Sequence, residues 1–307
     1  MTDTRIVYGF LDAGKTTYIQ DCILNDYFYK RGTTLILCFE QGEAEYDAEK
    51  LGEKKAQAVF YDGRDDITGF CTEMMETYHP DRIYVEMNAM MDGLREKLPA
   101  SMQVTFAVSL IDWSTMEPYF VNFRQMINSM AADSQQVIFR GCPSKELLAP
   151  YSQAFRLMNR RASYLRQDPM GYHEKAFDLF VPFSLEETEI TISAAEYLPF
   201  WLDAADHPEH YDGKKLIFTD PLELRQLTGN DPWTAGRVVM TCCMADLQFM
   251  SFELISPGTA DGGWITFEAL GEAGTAEYGR KTLKLKPLQI RYAPPPEQLI
   301  LSASLQS

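Results

Sequence analysis

The sequence predicts an α/β domain with a mostly parallel sheet, followed by a smaller β-rich domain. Strand and helix patterns alternate through the first half, a glycine-rich segment follows the first strand, and short strands separated by glycine and proline turns follow Tyr211. The 307 residues are enough for two domains. We place the first at residues 1–185 and the second at residues 192–295.

The elements of the first half follow in order along the chain. Apolar runs predict strands at Arg5–Gly9, Thr33–Phe39, Gln57–Tyr61, Arg82–Glu86, Val104–Asp112 and Gln136–Phe139. Helical spacing predicts helices at Lys15–Lys30, Asp66–Tyr78, Thr115–Ala132 and Lys145–Met158. Strands that alternate with helices indicate βαβ units, so most strands of this sheet should be parallel.

The second half has a different pattern. A helix is predicted near Ser193–Ala205, and a tail with little evident structure begins at Pro294. Strands are predicted at Lys215–Phe218, Arg237–Cys243, Gln248–Ile255, Trp264–Ala269 and Thr282–Ile290. Short strands at this spacing are typical of a small antiparallel barrel or sandwich.

Charge and hydropathy exclude several classes of partner. The chain carries 28 Lys and Arg against 44 Asp and Glu, a formal net charge of −16. Such a surface repels phosphodiesters and anionic membranes, so we expect no nucleic-acid partner. No apolar run reaches the roughly 18 residues of a membrane span, so the chain should not be membrane-embedded. With no signal-peptide core and six scattered cysteines, we expect reduced thiols in the cytoplasm.

The strongest motif is a phosphate-binding loop. Residues 9–16, Gly-Phe-Leu-Asp-Ala-Gly-Lys-Thr, match G-x-x-x-x-G-K-[ST] between a strand and a helix. Free N–H groups and the helix dipole at this position favour phosphate. Lys15 would reach the β- and γ-phosphates, and the Thr16 hydroxyl would bind Mg²⁺. The sequence therefore predicts a site that binds the phosphates of a nucleotide together with Mg²⁺.

An acidic residue should accompany this loop at the end of a parallel strand. Glu86, which closes Arg82–Glu86, is the first candidate, and Asp112, which closes the strand after it, is the second. Either could instead cap a helix or lie at a solvated strand end.

The N-terminal region resembles the CobW-type P-loop GTPases, a family tied to metal insertion and metal homeostasis. Residues 9–17 are similar to its G-F-L-x-[AS]-G-K-T-T, and residues 40–47 are similar to its switch segment E-F-G-E-x-x-x-D. Weaker matches follow in the family's order at Arg64-Asp65-Asp66, Ala131-Ala132-Asp133 and Asn159-Arg160-Arg161-Ala162. The resemblance covers residues 4–166.

The resemblance implies Mg²⁺-dependent binding and slow hydrolysis of GTP or ATP by a switch or metallochaperone. The implied catalytic residues are Lys15 and Glu86. The implied nucleotide-binding residues are Gly9, Asp12, Ala13, Gly14, Lys15, Thr16 and Thr17. Candidate metal ligands are Thr16, Glu40, Glu43, Glu86, Cys242 and Cys243. Implied partners are a metal-receiving protein or a permease, and relatives suggest a homodimer.

Three departures from the family pattern bear on this expectation. The Cys-x-Cys-Cys metal motif is replaced by Phe60-Tyr61-Asp62-Gly63, which removes the soft ligands that select zinc. Cys142 stands where the family has the Asp that reads guanine, so GTP and ATP both stay open. Met87-Asn88-Ala89 replaces the glycine segment that senses the γ-phosphate. Nucleotide binding is thus expected more strongly than rapid hydrolysis.

A second resemblance lies in the C-terminal half. Residues 237–246 are similar to the R-[FV]-x-x-x-C-C-x-A-D signature of a small, OB-like β domain found with permeases and CobW-like GTPases. Cys242 and Cys243 could bind a transition ion such as Zn²⁺, or could be one core thiol and one half-exposed thiol. His207 and His210 could likewise form a metal site or a polar loop.

Two other functions stay open. The chain could be a nucleotide-binding scaffold that does not hydrolyse its ligand and regulates a partner such as a permease. It could also be a small-molecule kinase, for which Arg160, Arg161 and Arg166 are the clustered arginines of a possible lid.

Overall fold

A computed structural model describes residues 1–25, 32–40, 42, 44–91, 93–177, 181–226, 228–229, 231–241, 246–256, 262–275, 279 and 281–302. The chain divides into two compact units. Unit 1 comprises residues 1–149 and 161–177, and unit 2 comprises residues 150–160 and 178–307.

Unit 1 is built on an eight-stranded sheet, counted over the described residues. Its strands are β1 Thr2–Gly9, β2 Thr34–Cys38, β3 Ala56–Phe60, β4 Arg82–Asn88, β5 Met102–Asp112, β6 Gln136–Arg140, β7 Ser163–Gln167 and β8 His173–Lys175. The order is β3-β2-β4-β1-β5-β6-β7-β8, and only the pair β7–β8 is antiparallel. The predicted α/β class with a mostly parallel sheet is confirmed, and a parallel sheet with a glycine-rich loop after β1 fits the P-loop NTPase fold.

The central strands are buried on both faces. Ile6, Ile36 and Val85 on β1, β2 and β4 are fully inaccessible to solvent, as expected for apolar runs in a parallel sheet covered by helices. Parallel strands end at the same edge of the sheet. This edge therefore collects the residues at and just beyond the ends of β1, β2, β4 and β6, where the motif residues lie.

The helices of unit 1 connect these strands. They are α1 Lys15–Leu24, α2 Ala48–Glu53, α3 Ile67–Tyr78, α4 Trp113–Asn122 and α5 Arg124–Asp133. The prediction of one helix over Thr115–Ala132 is wrong. The chain leaves helical geometry at Phe123, with φ −126° and ψ 31°. The Phe123 ring packs against Phe10, with ring centroids 6.1 Å apart, and this tertiary contact accompanies the break.

Over its described residues, unit 2 combines two α-helices with a second sheet. The helices are α6 Ser152–Met158 and α7 Ala194–Asp206. The strands are β9 Glu189–Ile192, β10 Lys215–Arg225, β11 Thr234–Met240, β12 Leu247–Leu254, β13 Gly263–Thr275, β14 Lys281–Tyr292 and β15 Ile300–Ser302. Aromatic rings fill the interior: Phe200 packs edge-on against Tyr211 with centroids 4.8 Å apart, and Phe218 stacks on Phe267 at 4.8 Å.

Five of these strands close into a ring. The pairings run β10–β11–β12–β14–β13 and return to β10, with β12 and β14 parallel and the other four pairs antiparallel. The predicted β-rich unit with a barrel-like sheet is confirmed. Closure pairs both edges of every strand in the ring over part of its length, so the barrel needs no further sheet to cover it.

Two other secondary-structure predictions need correction. The helix predicted over Lys145–Met158 is a 3₁₀ helix at Lys145–Tyr151, which contains Pro150, followed by α6. The tail is not without structure, because β15 pairs in parallel with Val238–Met240 of β11. Local periodicity cannot predict that strand, since its hydrogen-bonding partners lie about 60 residues earlier in the chain.

A buried carboxylate in unit 2 supports a stability prediction. Asp203, 3% exposed, accepts hydrogen bonds from the Tyr211 hydroxyl and His210 Nδ1, both at 2.8 Å. Asp203→Ala leaves the buried Tyr211 hydroxyl without its acceptor, so we expect the free energy of unfolding to fall by about 3 kcal/mol. Thermal unfolding would measure it, with Glu209→Ala as the control because Glu209 makes an exposed ion pair with Lys281. Equal melting temperatures for the two variants would contradict this prediction.

Among the described residues, no helix combines the length and the hydropathy that a membrane span requires.

Candidate functional site

The loop between β1 and α1 depends on two glycines. Gly14 has a φ of +81°, a left-handed conformation that a side chain disfavours, and it precedes the first residue of α1. At Gly9 a Cβ atom would lie 2.9 Å from the backbone oxygen of Leu110 on β5. The motif therefore supplies glycine where the backbone turns and where two strands approach closely.

Lys15 is the most enclosed cation of the loop. Its side chain is 1% exposed, and Nζ donates to the backbone oxygens of Gly9 at 3.1 Å and Phe10 at 2.6 Å. The third acceptor is Oε1 of Glu40, which lies just after β2. These contacts use all three N–H donors of the ammonium group.

Glu86 on β4 lies at the base of the loop. Its Oε1 accepts a hydrogen bond from the Thr16 hydroxyl at 2.7 Å, and its Oε2 accepts one from the Tyr46 hydroxyl at 2.6 Å. Glu86 is 3% exposed. Burial is the main cause that raises the pKa of Tyr46 above its ordinary value, and the charge of Glu86 is the second. The Tyr46 hydroxyl therefore keeps its proton and donates.

Glu40 has a largely enclosed side chain whose two oxygens are in different surroundings. Its side chain is 8% exposed, and within the described part of the chain its Oε2 has no hydrogen-bond partner. Burial raises the pKa of Glu40 above its ordinary value, and the charge of Lys15 and the Asn88 side chain oppose that shift. Oxygen atoms of Thr16, Glu40 and Glu86 are hard donors of the kind that Mg²⁺ prefers.

Arg140 at the end of β6 holds the loop from another side. Its NH1 donates to the backbone oxygens of Ala13 at 3.2 Å and Gly14 at 2.6 Å, and its Nε donates to Gln167 Oε1 at 2.8 Å. Burial lowers the pKa of Arg140, and Asp21 and Asp112 oppose the shift. A Cβ atom at Gly14 would lie 1.5 Å from this guanidinium.

The remaining loop residues face different surroundings. Ala13 is buried, whereas Asp12 and Thr17 are exposed. Asp12 has a φ of +58°, a conformation that Asp adopts more readily than most residues.

Two acidic residues of unit 1 cap helices. Asp112 caps α4, because its Oδ1 accepts from the Ser114 backbone N–H at 2.7 Å, so the capping alternative describes it. Asp47 caps α2 and accepts from the Lys50 backbone N–H at 3.1 Å. The predicted ligands Glu43, Cys242 and Cys243 lie outside the described residues.

The segment after β6 lacks a carboxylate at the position of the base-reading Asp. Cys142 is fully buried, and its thiol donates to the backbone oxygen of Ser144 at 3.2 Å. The Cys142 backbone oxygen accepts from Arg166 at 2.6 Å. Ala89 stands in the segment that replaces the family's γ-phosphate-sensing glycine, and its backbone N–H donates to the Gly9 oxygen at 2.9 Å.

The other candidates make ordinary contacts. His207 and His210 stack with ring centroids 4.9 Å apart. Cys71 is a fully buried thiol. Over the ranges that the structure describes, no three side chains of His, Cys, Asp or Glu are grouped so that they could hold a metal ion. Arg160 pairs with Asp206 in unit 2, and Arg166 pairs with Glu174 in unit 1.

Sequence reasoning missed Tyr46 and the contact of Arg140 with the loop. Arg140 carried a usable signal, because it ends a strand of the parallel sheet and such ends meet at one edge. Tyr46 carried none, since it reaches Glu86 from a loop 40 residues earlier in the chain.

Comparisons with known proteins show little overall similarity. No protein-family model matches the sequence, and no curated protein matches it. Among solved structures, the hydrogenase maturation factor HypB from Archaeoglobus fulgidus is 12% identical, with a TM-score of 0.37 over 54% of this chain and 81% of that chain. HypB from Helicobacter pylori in complex with nickel is 11% identical, with a TM-score of 0.32 over 52% of this chain and 77% of that one. Similarity this low transfers no activity, ligand or partner to this chain.

Proposed function

We propose that this protein binds a nucleoside triphosphate with Mg²⁺ at the Gly9–Thr16 loop, hydrolyses it slowly, and acts as a CobW-like switch or metallochaperone in metal homeostasis. The observation that carries the proposal is the hydrogen bond of 2.7 Å between Thr16 and Glu86 at the start of α1. It places a hydroxyl and a buried carboxylate beside the loop lysine, the groups that Mg²⁺ and phosphate need.

Each residue has a distinct role in this proposal. N–H groups of the loop and Lys15 bind the phosphates, and residues 12–17 surround them. Thr16, Glu86 and Glu40 would hold Mg²⁺, and the Oε2 of Glu40 fits a cation. Bound Mg²⁺ would offset the charge of the phosphates. Glu86 would orient the attacking water, because its carboxylate is buried beside the Thr16 hydroxyl.

The wider role rests on the resemblance to CobW-type proteins. We propose a cytoplasmic protein that forms a homodimer, and whose unit 2 is an OB-like barrel that passes the nucleotide state to a metal-receiving protein or a permease. The ring order of β10 to β14 supports the OB-like assignment. Zn²⁺ would bind at Cys242 and Cys243 in that proposal, and Glu43 would join the Mg²⁺ side of the switch segment.

Equilibrium titration with GTP and with ATP, each with and without Mg²⁺, tests the proposed function. We expect saturable binding that is tighter with Mg²⁺. If the protein bound neither GTP nor ATP, the proposed function would be refuted.

The second candidate is a scaffold that binds nucleotide without turnover. It is favoured by the hydrogen bond of 2.9 Å from the Ala89 N–H to the Gly9 oxygen, because this bond uses the donor that would sense a γ-phosphate. Turnover measured over hours separates the two candidates: phosphate release above that of a Lys15→Ala control supports the enzyme, and none supports the scaffold.

Cys142→Asp is expected to create a preference for GTP. A carboxylate can accept from the N–H groups of guanine, whereas the Cys142 thiol is a poor acceptor and is engaged with Ser144. Binding selectivity from such a contact should favour GTP over ATP by roughly tenfold or more. The ratio of the two dissociation constants measures it.

Cys142→Ser is the matched control, because it changes the same atom without adding a charge. An unchanged GTP to ATP ratio in Cys142→Asp, with binding retained, would mean that the end of β6 does not contact the base.

A further inference from the structure

Each of the three N–H donors of the Lys15 ammonium group already has an acceptor within the protein. The backbone oxygens of Gly9 and Phe10 accept two N–H groups, and Glu40 Oε1 accepts the third. A phosphate that binds Lys15 must therefore replace at least one of these acceptors. Glu40 is the acceptor that a phosphate most resembles in charge.

Glu40 would not be left in water if Lys15 turned to a phosphate. Its side chain is more than nine-tenths buried, and Oε2 already lacks a hydrogen-bond partner among the described residues. A buried carboxylate that loses its counter-charge is strongly disfavoured unless another cation or a proton replaces it.

A suitable place for that cation lies beside Glu40. Glu40, Glu86 and Thr16 line one cavity of about 650 Å³, together with Tyr46 and Glu45, and none of its described lining residues is basic. Two carboxylates and a hydroxyl are enough for Mg²⁺ or Mn²⁺, which keep several water ligands.

We propose that Glu40, Glu86 and Thr16 form a divalent-cation site that Lys15 masks and that a bound phosphate unmasks. The inference deepens the proposed function and rests on it for the identity of the phosphate. Lys15 then couples the two ligands: phosphate draws the ammonium from Glu40, and the cation takes its place. By linkage, a bound cation strengthens phosphate binding by the same factor.

Mn²⁺ binding without nucleotide tests the masking. The signal of free Mn²⁺ in electron paramagnetic resonance reports the affinity of the full-length protein. Lys15→Met keeps the length of the side chain and removes its charge, so we expect Mn²⁺ to bind at least about tenfold more tightly than to wild type. Adding Glu40→Gln to this variant should remove the gain, whereas adding Glu45→Gln, an exposed residue of the same cavity, should keep it.

Two outcomes would overturn the inference. One is equal Mn²⁺ affinity in wild type and a folded Lys15→Met protein. The other is a gain that persists after Glu40→Gln. If the wild type bound no nucleotide, the proposed function would be refuted. The Mn²⁺ affinities would still show whether Lys15 masks the cation site.

A second variant covers the case in which Lys15→Met does not fold. Glu40→Gln alone removes the competitor of the phosphate, so binding of nucleotide without Mg²⁺ should tighten severalfold while the gain from adding Mg²⁺ shrinks. Glu45→Gln should change neither quantity. Unaltered binding in Glu40→Gln would also overturn the inference.

Discussion

Lys15→Ala is expected to weaken the binding of GTP and ATP by about 100-fold, the loss typical of buried charged hydrogen bonds. Lys15 is the cation enclosed by the loop, with two loop carbonyls and Glu40 around its ammonium group. Isothermal titration with each nucleotide and Mg²⁺ measures the change.

Lys50→Ala is the matched control, because Lys50 is an exposed lysine that pairs with Asp47 at the start of α2. Circular dichroism should accompany both titrations, since Lys15→Ala leaves Glu40 without its counter-charge. Binding by a folded Lys15→Ala protein as tight as that of wild type would remove the loop from the nucleotide site.

Glu86→Gln is expected to lower nucleotide turnover by about 100-fold or more while nucleotide binding changes only a few-fold. Glutamine keeps the shape of the side chain and can still accept from Thr16 or Tyr46 with its one oxygen. It lacks the negative charge that would orient a water molecule. Single-turnover phosphate release, normalised to nucleotide bound, separates the chemical step from binding.

Asp112→Asn tests the competing acid. Asp112 accepts from Ser114 at the start of α4, so its substitution should lower stability slightly and leave turnover unchanged. A fall in turnover with Asp112→Asn, and none with Glu86→Gln, would reverse the assignment of the two residues.

The parallel sheet could be predicted because its strands are apolar on both faces, as in Thr34–Cys38, where every residue is buried. Short strands at the margins were missed. Ser163–Gln167 has few buried residues, and Glu189–Ile192 has only four residues in total. The pairings of β7 with β6 and of β9 with β10 each join strands separated by a helix, which no local pattern reveals.

The candidate site likewise has a part that a local motif predicts and a part that depends on the tertiary fold. A spacing rule indicates Lys15 and Thr16, because the motif is contiguous and lies between β1 and α1. The ion pair of Lys15 with Glu40 joins the start of α1 to the segment after β2, and the contact of Arg140 with Gly14 spans 126 residues. Such contacts depend on which strands are neighbours in the sheet, and strand order cannot be read from a single sequence.

The hydrogen bonds from Arg140 to the loop fix the direction of two amide groups. Because peptide bonds are planar and trans, a carbonyl that faces Arg140 forces the N–H of the same peptide to face the opposite way. The carbonyls of Ala13 and Gly14 are both held, so the N–H groups of Gly14 and Lys15 are aimed before any anion arrives. The two peptides need not rotate on binding, which lowers the reorganisation cost of capturing an anion.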